Sequence, residues 1–385
     1  MGEGKIDNPR SEIDAIDEEL LRLLNKRAEI ALRVGAAKTN VETSLCDPTR
    51  ELEVLARMRA ENPGPFAEHN IDSIFQRIID ESLQLQQDRF GRKLSDQQRT
   101  EQLAAKVGGR SRVAFLGERG TFSEEAALSL LGDESETVSM PTFDELFLAI
   151  ESGKADYILT PLENSLIGSV HRCVDLLLRS SLHIVAELVL PVSHYLVACE
   201  GATIETVRTV ESHPAALAQC TAFFAAHPEF KRVPADDTAG SVRRAVESGD
   251  ITRAGIGGKR TAEIYGGKIL LEHLEDNREN YTRFALLSAV ADRSETGTKI
   301  SLVMRLKNRP GSLHGALRPF VRRGVDLLKI ESLPIRDSPD EYNFYLDVLV
   351  PANPGEMSGA LDEVRELAVD VRVLGRYSST ILGSA

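Results

Sequence analysis

Arg27 and Lys38 stand eleven residues apart in a stretch whose apolar residues recur at helical spacing. At 100° per residue they differ by about 20° and lie about 16 Å apart on one helix face. Arg10 falls about 100° round the same helix, so it joins them only if a second copy of the chain presents it. Ser82 and Gln86 are i, i+4 and continue the apolar stripe of Ile71, Phe75 and Ile78. Polar groups in such a stripe need partners, because burying them unpaired is costly. Asp47, Arg50 and Glu51 crowd the first turn of another helical segment. The chemistry open to this set is that of cations in or beside apolar faces. Each residue singly also reads as solvated charge or a helix cap.

Three polar phrases follow further along. Gly117-Glu118-Arg119-Gly120-Thr121-Phe122-Ser123-Glu124 comes after an apolar strand and opens a helix. It is not G-x-G-x-x-G, so it is no dinucleotide site. Thr121-x-x-Glu124 makes a capping box. The functional alternative is an anion site, since free N–H groups and the dipole at a helix N-terminus favour a carboxylate. Thr160-Pro161-Leu162-Glu163-Asn164-Ser165, ending at Gly168, is a dense polar loop after a strand. Glu211-Ser212-His213-Pro214, ending in Gln219, and Asp276 to Phe284 have the same character. His213-Pro214 also reads as a helix-start turn, and Cys220 as core.

The elements that must position these groups fall into three zones. Residues 10–90 read as three helices. The first carries Ile13, Ile16, Leu20, Leu23, Leu24, Ile30 and Val34 as one stripe. The second opens at Asp47-Pro48, an N-cap followed by an N1 proline, and ends near Asn62-Pro63-Gly64-Pro65. The third runs from about Ile71 to Phe90. Three such helices bury little alone, so a dimer of intertwined helices is expected. Residues 93–110 read as a linker, partly helical around Thr100 to Lys106. From Arg112, short apolar runs alternate with helical segments, which predicts α/β organisation with a mainly parallel sheet. Residues 300–375 follow the order βαββαβ of a ferredoxin-like α+β module.

The chain has 385 residues, and at about 150 per domain two to three domains are expected. Its formal charge of −13 argues against a chain devoted to gripping nucleic acid or an anionic membrane. No apolar run approaches the ~18 residues of a membrane span. The polar N-terminus lacks the apolar core of a signal peptide. The four cysteines, at 46, 173, 199 and 220, form no C-x-x-C pair, so a metal cluster or a disulfide framework is not expected. A cytoplasmic protein with reduced thiols is expected.

Arg10, Ile13-Asp14-Ala15-Ile16-Asp17, Arg27, Lys38, Asp47-Pro48-Thr49-Arg50-Glu51, Ser82 and Gln86 resemble the all-helical chorismate mutases over about residues 8–90. The resemblance implies an intertwined dimer acting on a dicarboxylate by a pericyclic step, where only positioning and electrostatics help. It places Arg10 (from the partner chain), Arg27 and Arg50 on the carboxylates and the charge balance of the site. Lys38 and Gln86 would stabilise the ether oxygen. Glu51 would hold the ring hydroxyl, with Asp47 and Ser82 in support.

The turn at Gly117–Ser123, the Pro161–Gly168 loop, Ser212-His213-Pro214 with Gln219, and Asn280-x-Thr282-Arg283-Phe284 together resemble prephenate dehydratases over about residues 111–290. That family is similar in fold to two-lobed periplasmic binding proteins, with substrate in the cleft between lobes. It uses no metal or nucleotide, and no cofactor is expected here. The resemblance makes Thr282 the donor to the departing hydroxyl. Glu163, Asn164, Ser165, Ser212 and Gln219 would line the cleft, Arg283 would pair a carboxylate, and Phe284 would pack on the ring. Thr121 and Ser123 would offer hydroxyls and N–H groups.

Residues 299–377 resemble the ACT modules attached to those dehydratases, on Asn308-Arg309-Pro310-Gly311-Ser312-Leu313 and Lys329-Ile330-Glu331-Ser332-Leu333-Pro334. The resemblance implies binding of L-phenylalanine at Gly311, Ser312, Leu313, Glu331 and Ser332, and feedback inhibition. Leu333 stands where the family has Arg, and Ser312 where Ala is usual. That removes five potential N–H donors and predicts weaker or altered control.

The expected organisation is therefore multidomain. A mutase spans 1–92, a linker 93–110, a two-lobed α/β dehydratase 111–292 and an α+β ACT module 298–380. The expected enzyme takes chorismate to prephenate and on to phenylpyruvate, as a homodimer or homotetramer. Two alternatives stay open at this point. One makes arogenate the second substrate, and the other is a catalytically silent sensor of aromatic acids.

Overall fold

The computed structural model describes residues 9–39, 48–86, 111–132, 134–291, 297–335, 340–351 and 354–382. The chain divides into two compact units, Met1–Arg99 and Thr100–Ala385. The linker read at 93–110 lies outside the described residues.

The first unit is the three-helix zone: α1 (Pro9–Thr39), α2 (Pro48–Glu61) and α3 (Glu68–Gln86). α1 and α2 both begin on proline, whose missing N–H costs nothing in a first turn. Asn62 closes the turn between α2 and α3. Its Oδ1 accepts from Gly64 N at 3.0 Å and its Nδ2 donates to the Phe66 carbonyl at 2.8 Å. Gly64 there takes a φ of +88°, which suits glycine. Leu55 and Ile79 are buried, but the α1 stripe from Ile13 to Val34 stays exposed in the single chain.

Among the described residues the second unit holds three sheets. The first orders its strands Ser379–Ile381, His183–Pro191, Tyr281–Ser288, Tyr157–Asn164, Arg112–Leu116 and Glu136–Met140, with Gly168–Ser169 beside Tyr157–Asn164. The second orders Lys268–Leu271, Tyr195–Ala198, Arg253–Gly257, Thr209–Ser212 and Lys231–Pro234. The expectation of a mainly parallel sheet is corrected, since both sheets are mixed. Tyr281–Ser288 runs antiparallel to both neighbours, and Tyr195–Ala198 does the same. The reason is the path of the chain. It leaves the first sheet after Pro191, builds the second from residues 195–271, and returns at Tyr281 to fill the gap between two strands laid down earlier.

Two connecting segments therefore join the lobes, and they are tied together. Val192 N donates to the Asn280 carbonyl at 2.8 Å, and Leu274 N to the His194 carbonyl at 2.9 Å. The His194 N–H donates to Glu275 Oε2 at 2.7 Å.

The third sheet is antiparallel, in the order Leu327–Pro334, Glu341–Leu349, Lys299–Lys307, Asp370–Tyr377. Helices Ser312–Arg322 and Pro354–Leu367 complete the βαββαβ pattern. One face packs its helices around Leu302, Phe320, Leu346 and Val364. The other carries Val303, Tyr345, Leu374 and Tyr377 into a cluster with Ile158, Leu177 and Ile184 of the first lobe. The approach is close at Gly375, where a Cβ would meet the Ile184 carbonyl oxygen at 2.0 Å. Among the described residues no helix is long and apolar enough to cross a membrane. Cys173, Cys199 and Cys220 are free and buried.

Candidate active sites

In the first unit, α1 and α3 bring Arg27 and Ser82 together. The Arg27 guanidinium donates to Ser82 Oγ and, at 3.2 Å, to the Ile78 carbonyl. Ser82 Oγ in turn donates to the same carbonyl at 2.6 Å. Partial burial lowers the pKa of Arg27, and among the described residues no carboxylate pairs with it. A half-desolvated cation with no carboxylate partner among the described residues is suited to receive an anion from a ligand. Arg10, Lys38, Arg50, Glu51 and Gln86 have their backbones in the helices, but their side chains lie outside the described residues. Asp47 lies outside them altogether.

In the second unit, Asn164 is the hub. It ends the strand Tyr157–Asn164 and pairs with Thr282 in register. Its Nδ2 donates to Thr282 Oγ1 at 3.1 Å, to the Tyr281 carbonyl at 3.1 Å and to Asn280 Oδ1 at 2.8 Å. Its Oδ1 accepts from the N–H groups of Leu166 and Ile167, at 3.1 and 3.2 Å. Gln219, at the end of the short helix Pro214–Ala218 in the second lobe, reaches Asn164 Oδ1 at 3.5 Å. Its own oxygen takes bonds from Asn280 Nδ2 at 3.1 Å and His194 Nε2 at 2.8 Å. Asn164, Gln219 and Thr282 thus meet where the lobes join. Because Thr282 Oγ1 accepts from Asn164, its own proton is left to donate elsewhere.

The lobes also meet at the first polar phrase. Glu118 holds Arg243 of the second lobe through two bonds, at 2.6 and 2.9 Å. Thr261 Oγ1 donates to the Gly120 carbonyl at 2.5 Å, and Tyr265 OH to that of Arg119 at 3.1 Å.

Other expected residues stand differently. Thr121 caps the helix Phe122–Leu131, as the capping box implies. The anion site expected at this helix is filled by the protein itself. Buried Glu124 accepts from Gly120 N at 2.7 Å and from Thr137 Oγ1 at 3.0 Å. Ser123 and Ser212 are buried, and Ser212 Oγ donates to the Ile256 carbonyl at 2.7 Å. Ser165 pins its loop to the returning strand, donating to the Glu279 carbonyl and accepting from Tyr281 N, both at 3.0 Å. His213 is the helix-start turn read from the sequence, with its Nδ1 accepting from Ala215 N at 3.1 Å.

Glu163, Arg283 and Phe284, expected in the cleft lining, lie away from the Asn164 network. Side chains alternate across a strand, so Asn164 and Thr282 share one face while Glu163 and Arg283 share the other. Arg283 lies 2.5 Å from Asp347 and 3.5 Å from Glu187. Glu163 lies 3.0 Å from Lys329 and 3.7 Å from Arg283. Both belong to an ionic seam under the third sheet. Phe284 follows a break in register and is buried with Val113, Leu130, Leu159 and Leu188.

In the third sheet, Gly311 has a φ of +83° just before the helix Ser312–Arg322, and Leu313 packs on that module's core. Glu331 and Ser332 point to opposite faces. Glu331 accepts from Ser169 Oγ at 2.6 Å and lies 3.3 Å from His171, facing the first lobe. Ser332 is exposed on the other side. Leu333, the departure from the family phrase, packs half-buried against the first lobe.

Two members of the network escaped sequence reading. Asn280 lay inside a quoted phrase, two residues before Thr282 and so on its face. His194 stands in no motif. Only the crossing of the lobes brings it to Gln219.

Residues 113–292 match the family described as prephenate dehydratase, and residues 9–87 the family described as chorismate mutase type II. The bifunctional chorismate mutase/prephenate dehydratase of Neisseria gonorrhoeae is 33% identical over 374 residues, covering 97% of each chain. That of Escherichia coli K12 is 32% identical over 378 residues, covering 96% of this chain and 95% of its own. The prephenate dehydratase of Arthrobacter aurescens, solved in complex with L-Phe, is 29% identical. It superposes with a TM-score of 0.63, covering 69% of this chain and 89% of its own. With both activities of phenylalanine biosynthesis in one polypeptide, the chain belongs to the bifunctional chorismate mutase/prephenate dehydratase family.

Proposed function

We propose that Thr282 donates the proton that turns the departing C4 hydroxyl of prephenate into water. The carboxylate carbon leaves as CO2, its bonding electrons aromatise the ring, and solvent restores the Thr282 proton. The observation that carries this reading is the 3.1 Å bond from Asn164 Nδ2 to Thr282 Oγ1. It occupies a lone pair of the hydroxyl and leaves its proton free to donate. The amide of Gln219 completes the substrate cradle, Thr121 and Ser123 support it by holding the helix start beside it, and Ser165 and Ser212 shape its loops. Comparing Thr282→Ser with Thr282→Val on prephenate tests the assignment. Ser keeps the donor and retains most turnover. Val removes it and loses about 10²–10⁴-fold.

For the mutase step, Arg27 with Arg50 and the partner chain's copy of Arg10 takes the two carboxylates of chorismate. Lys38 and Gln86 stabilise the breaking ether oxygen, Glu51 holds the ring hydroxyl, and Asp47 and Ser82 support. The fit is chemical, since a pericyclic rearrangement needs fixed charge and no proton transfer. The exposed apolar stripe of α1 supports a homodimer through these helices. The C-terminal module binds L-phenylalanine around Gly311, Ser312, Leu313 and Ser332 and slows the dehydratase. The L-Phe complex of the Arthrobacter aurescens relative supports this reading.

A further inference from the structure

We propose that His194 and Asn280 are positioning residues for the dehydratase step. They fix the amide of Gln219, which bonds Asn164, the residue that in turn bonds Thr282. This rests on the assignment of Thr282 as proton donor.

The direction of the network is anchored on backbone groups whose polarity cannot reverse. Asn164 Oδ1 accepts from the N–H groups of Leu166 and Ile167, and its Nδ2 donates to the Tyr281 carbonyl. That settles which end of the Asn164 amide is nitrogen. Asn280 must then present its oxygen to Asn164 Nδ2 and its nitrogen to Gln219. Gln219 consequently accepts with its oxygen, so the second group at that oxygen, His194 Nε2, must carry a proton. With two donors on its oxygen, Gln219 has its NH2 turned back toward Asn164 and the cleft.

The fit of the histidine is specific. His194 is 2% exposed and Asn280 fully buried, so both groups that hold the half-buried Gln219 amide are themselves shielded from solvent. The His194 Nδ1 is buried and unpartnered, and the edge of Phe122, in the first polar phrase, packs 6.1 Å from the ring. Burial also holds the imidazole below its ordinary pKa, which favours the neutral form with the single proton on Nε2. The backbone N–H of His194 is held by Glu275. His194 and Asn280 lie on the two segments that cross between the lobes. The network therefore closes only when both segments are in register, which ties donor geometry to lobe position.

The test uses the full-length chain and prephenate. His194→Leu keeps apolar volume and removes the donor, while His194→Gln returns an N–H at similar reach. For His194→Leu we expect kcat to fall about 10–100-fold with KM within about threefold, the cost of leaving a buried acceptor short of a donor. His194→Gln should recover to within about threefold of wild type. Urea unfolding of the second unit, unchanged in both, reports that the unit carrying the variants is folded, and mutase turnover should be unaffected. Wild-type turnover in His194→Leu, or equal loss in both variants, would overturn the proposal, the latter by assigning the histidine to packing. If His194→Leu does not fold, Asn280→Asp carries the test. It keeps the acceptor for Asn164 and loses the donor to Gln219, so the same fall in kcat supports the proposal and wild-type turnover overturns it. Thr282→Val separates the two readings. Undiminished turnover there refutes the proton donor, while the contrast between His194→Leu and His194→Gln still judges the positioning role.

Discussion

Arg283 stands 2.5 Å from Asp347 of the third sheet, while its chain neighbour Thr282 accepts a bond from Asn164 on the opposite face. Asn164 and Glu163 repeat the division on the paired strand. Two adjacent strands thus carry the dehydratase network on one side and the contact with the C-terminal module on the other.

That seam is ionic and buried. Arg283, Lys299, Glu187 and Asp347 lie together, joined by Ser301, Tyr345 and Tyr377. Breaking such a pair from one side leaves an uncompensated charge, at about 3–5 kcal/mol. Glu187 stays near Arg283, so Asp347→Ala should cost about 3 kcal/mol, read from urea unfolding of the second unit. Burial would raise the Asp347 carboxyl, but Arg283 and Lys299 overcome it and hold its pKa below the ordinary value. A depressed acid contributes stability above its unfolded pKa of about 4, and that stability is lost as pH falls through the folded value. Wild type should lose stability steeply below about pH 4, and Asp347→Asn should show a shallower acid limb in the same range. Parallel acid limbs would remove Asp347 from the pH dependence.

The α1 stripe gives a second test. Leu20 and Leu24 are exposed in the single chain and face the same side as Ile13 and Ile16. On the proposed pairing of two copies through α1, changing both to Glu should dissociate the dimer in sedimentation and abolish mutase turnover, because Arg10 would no longer reach its partner's site. Full mutase activity in a dissociated chain would show that one copy suffices.

Gln86 is a permanent donor, whatever the pH. Mutase activity should therefore persist at about pH 8, whereas Gln86→Glu should lose it as the carboxylate ionises. A wild-type profile that collapses with an apparent pKa of about 5–6 would exclude Gln86 from the ether oxygen.

For the C-terminal module we expect heat release on titration with L-phenylalanine, and inhibition of the dehydratase but not the mutase. Leu333 supplies no guanidinium where the family has one, so affinity should be modest. Absence of heat or thermal shift at millimolar ligand would leave the module a structural role.

Much of this was legible in the residues. Heptad-like apolar spacing announces three helices, and alternating apolar runs announce the βαββαβ module, because local periodicity encodes both. The polar phrases point to Asn164, Gln219 and Thr282, since clustered hydroxyl and amide groups stand out against apolar runs. The faces of Glu163 and Arg283 were not legible. Alternation separates neighbours, but the partner that claims each face, Asp347 or Lys329, lies far along the chain. The mixed sheets were hidden for the same reason, because the direction of Tyr281–Ser288 depends on where the chain returns. His194 acquires its role only through a tertiary contact.

The most direct measurement follows a single purified chain given chorismate, with prephenate and phenylpyruvate quantified over time. Wild type should deliver phenylpyruvate. Thr282→Val should consume chorismate at the wild-type rate and accumulate prephenate, with the second step slowed by about 10²–10⁴. Phenylpyruvate from Thr282→Val at the wild-type rate would contradict the assignment of the proton donor.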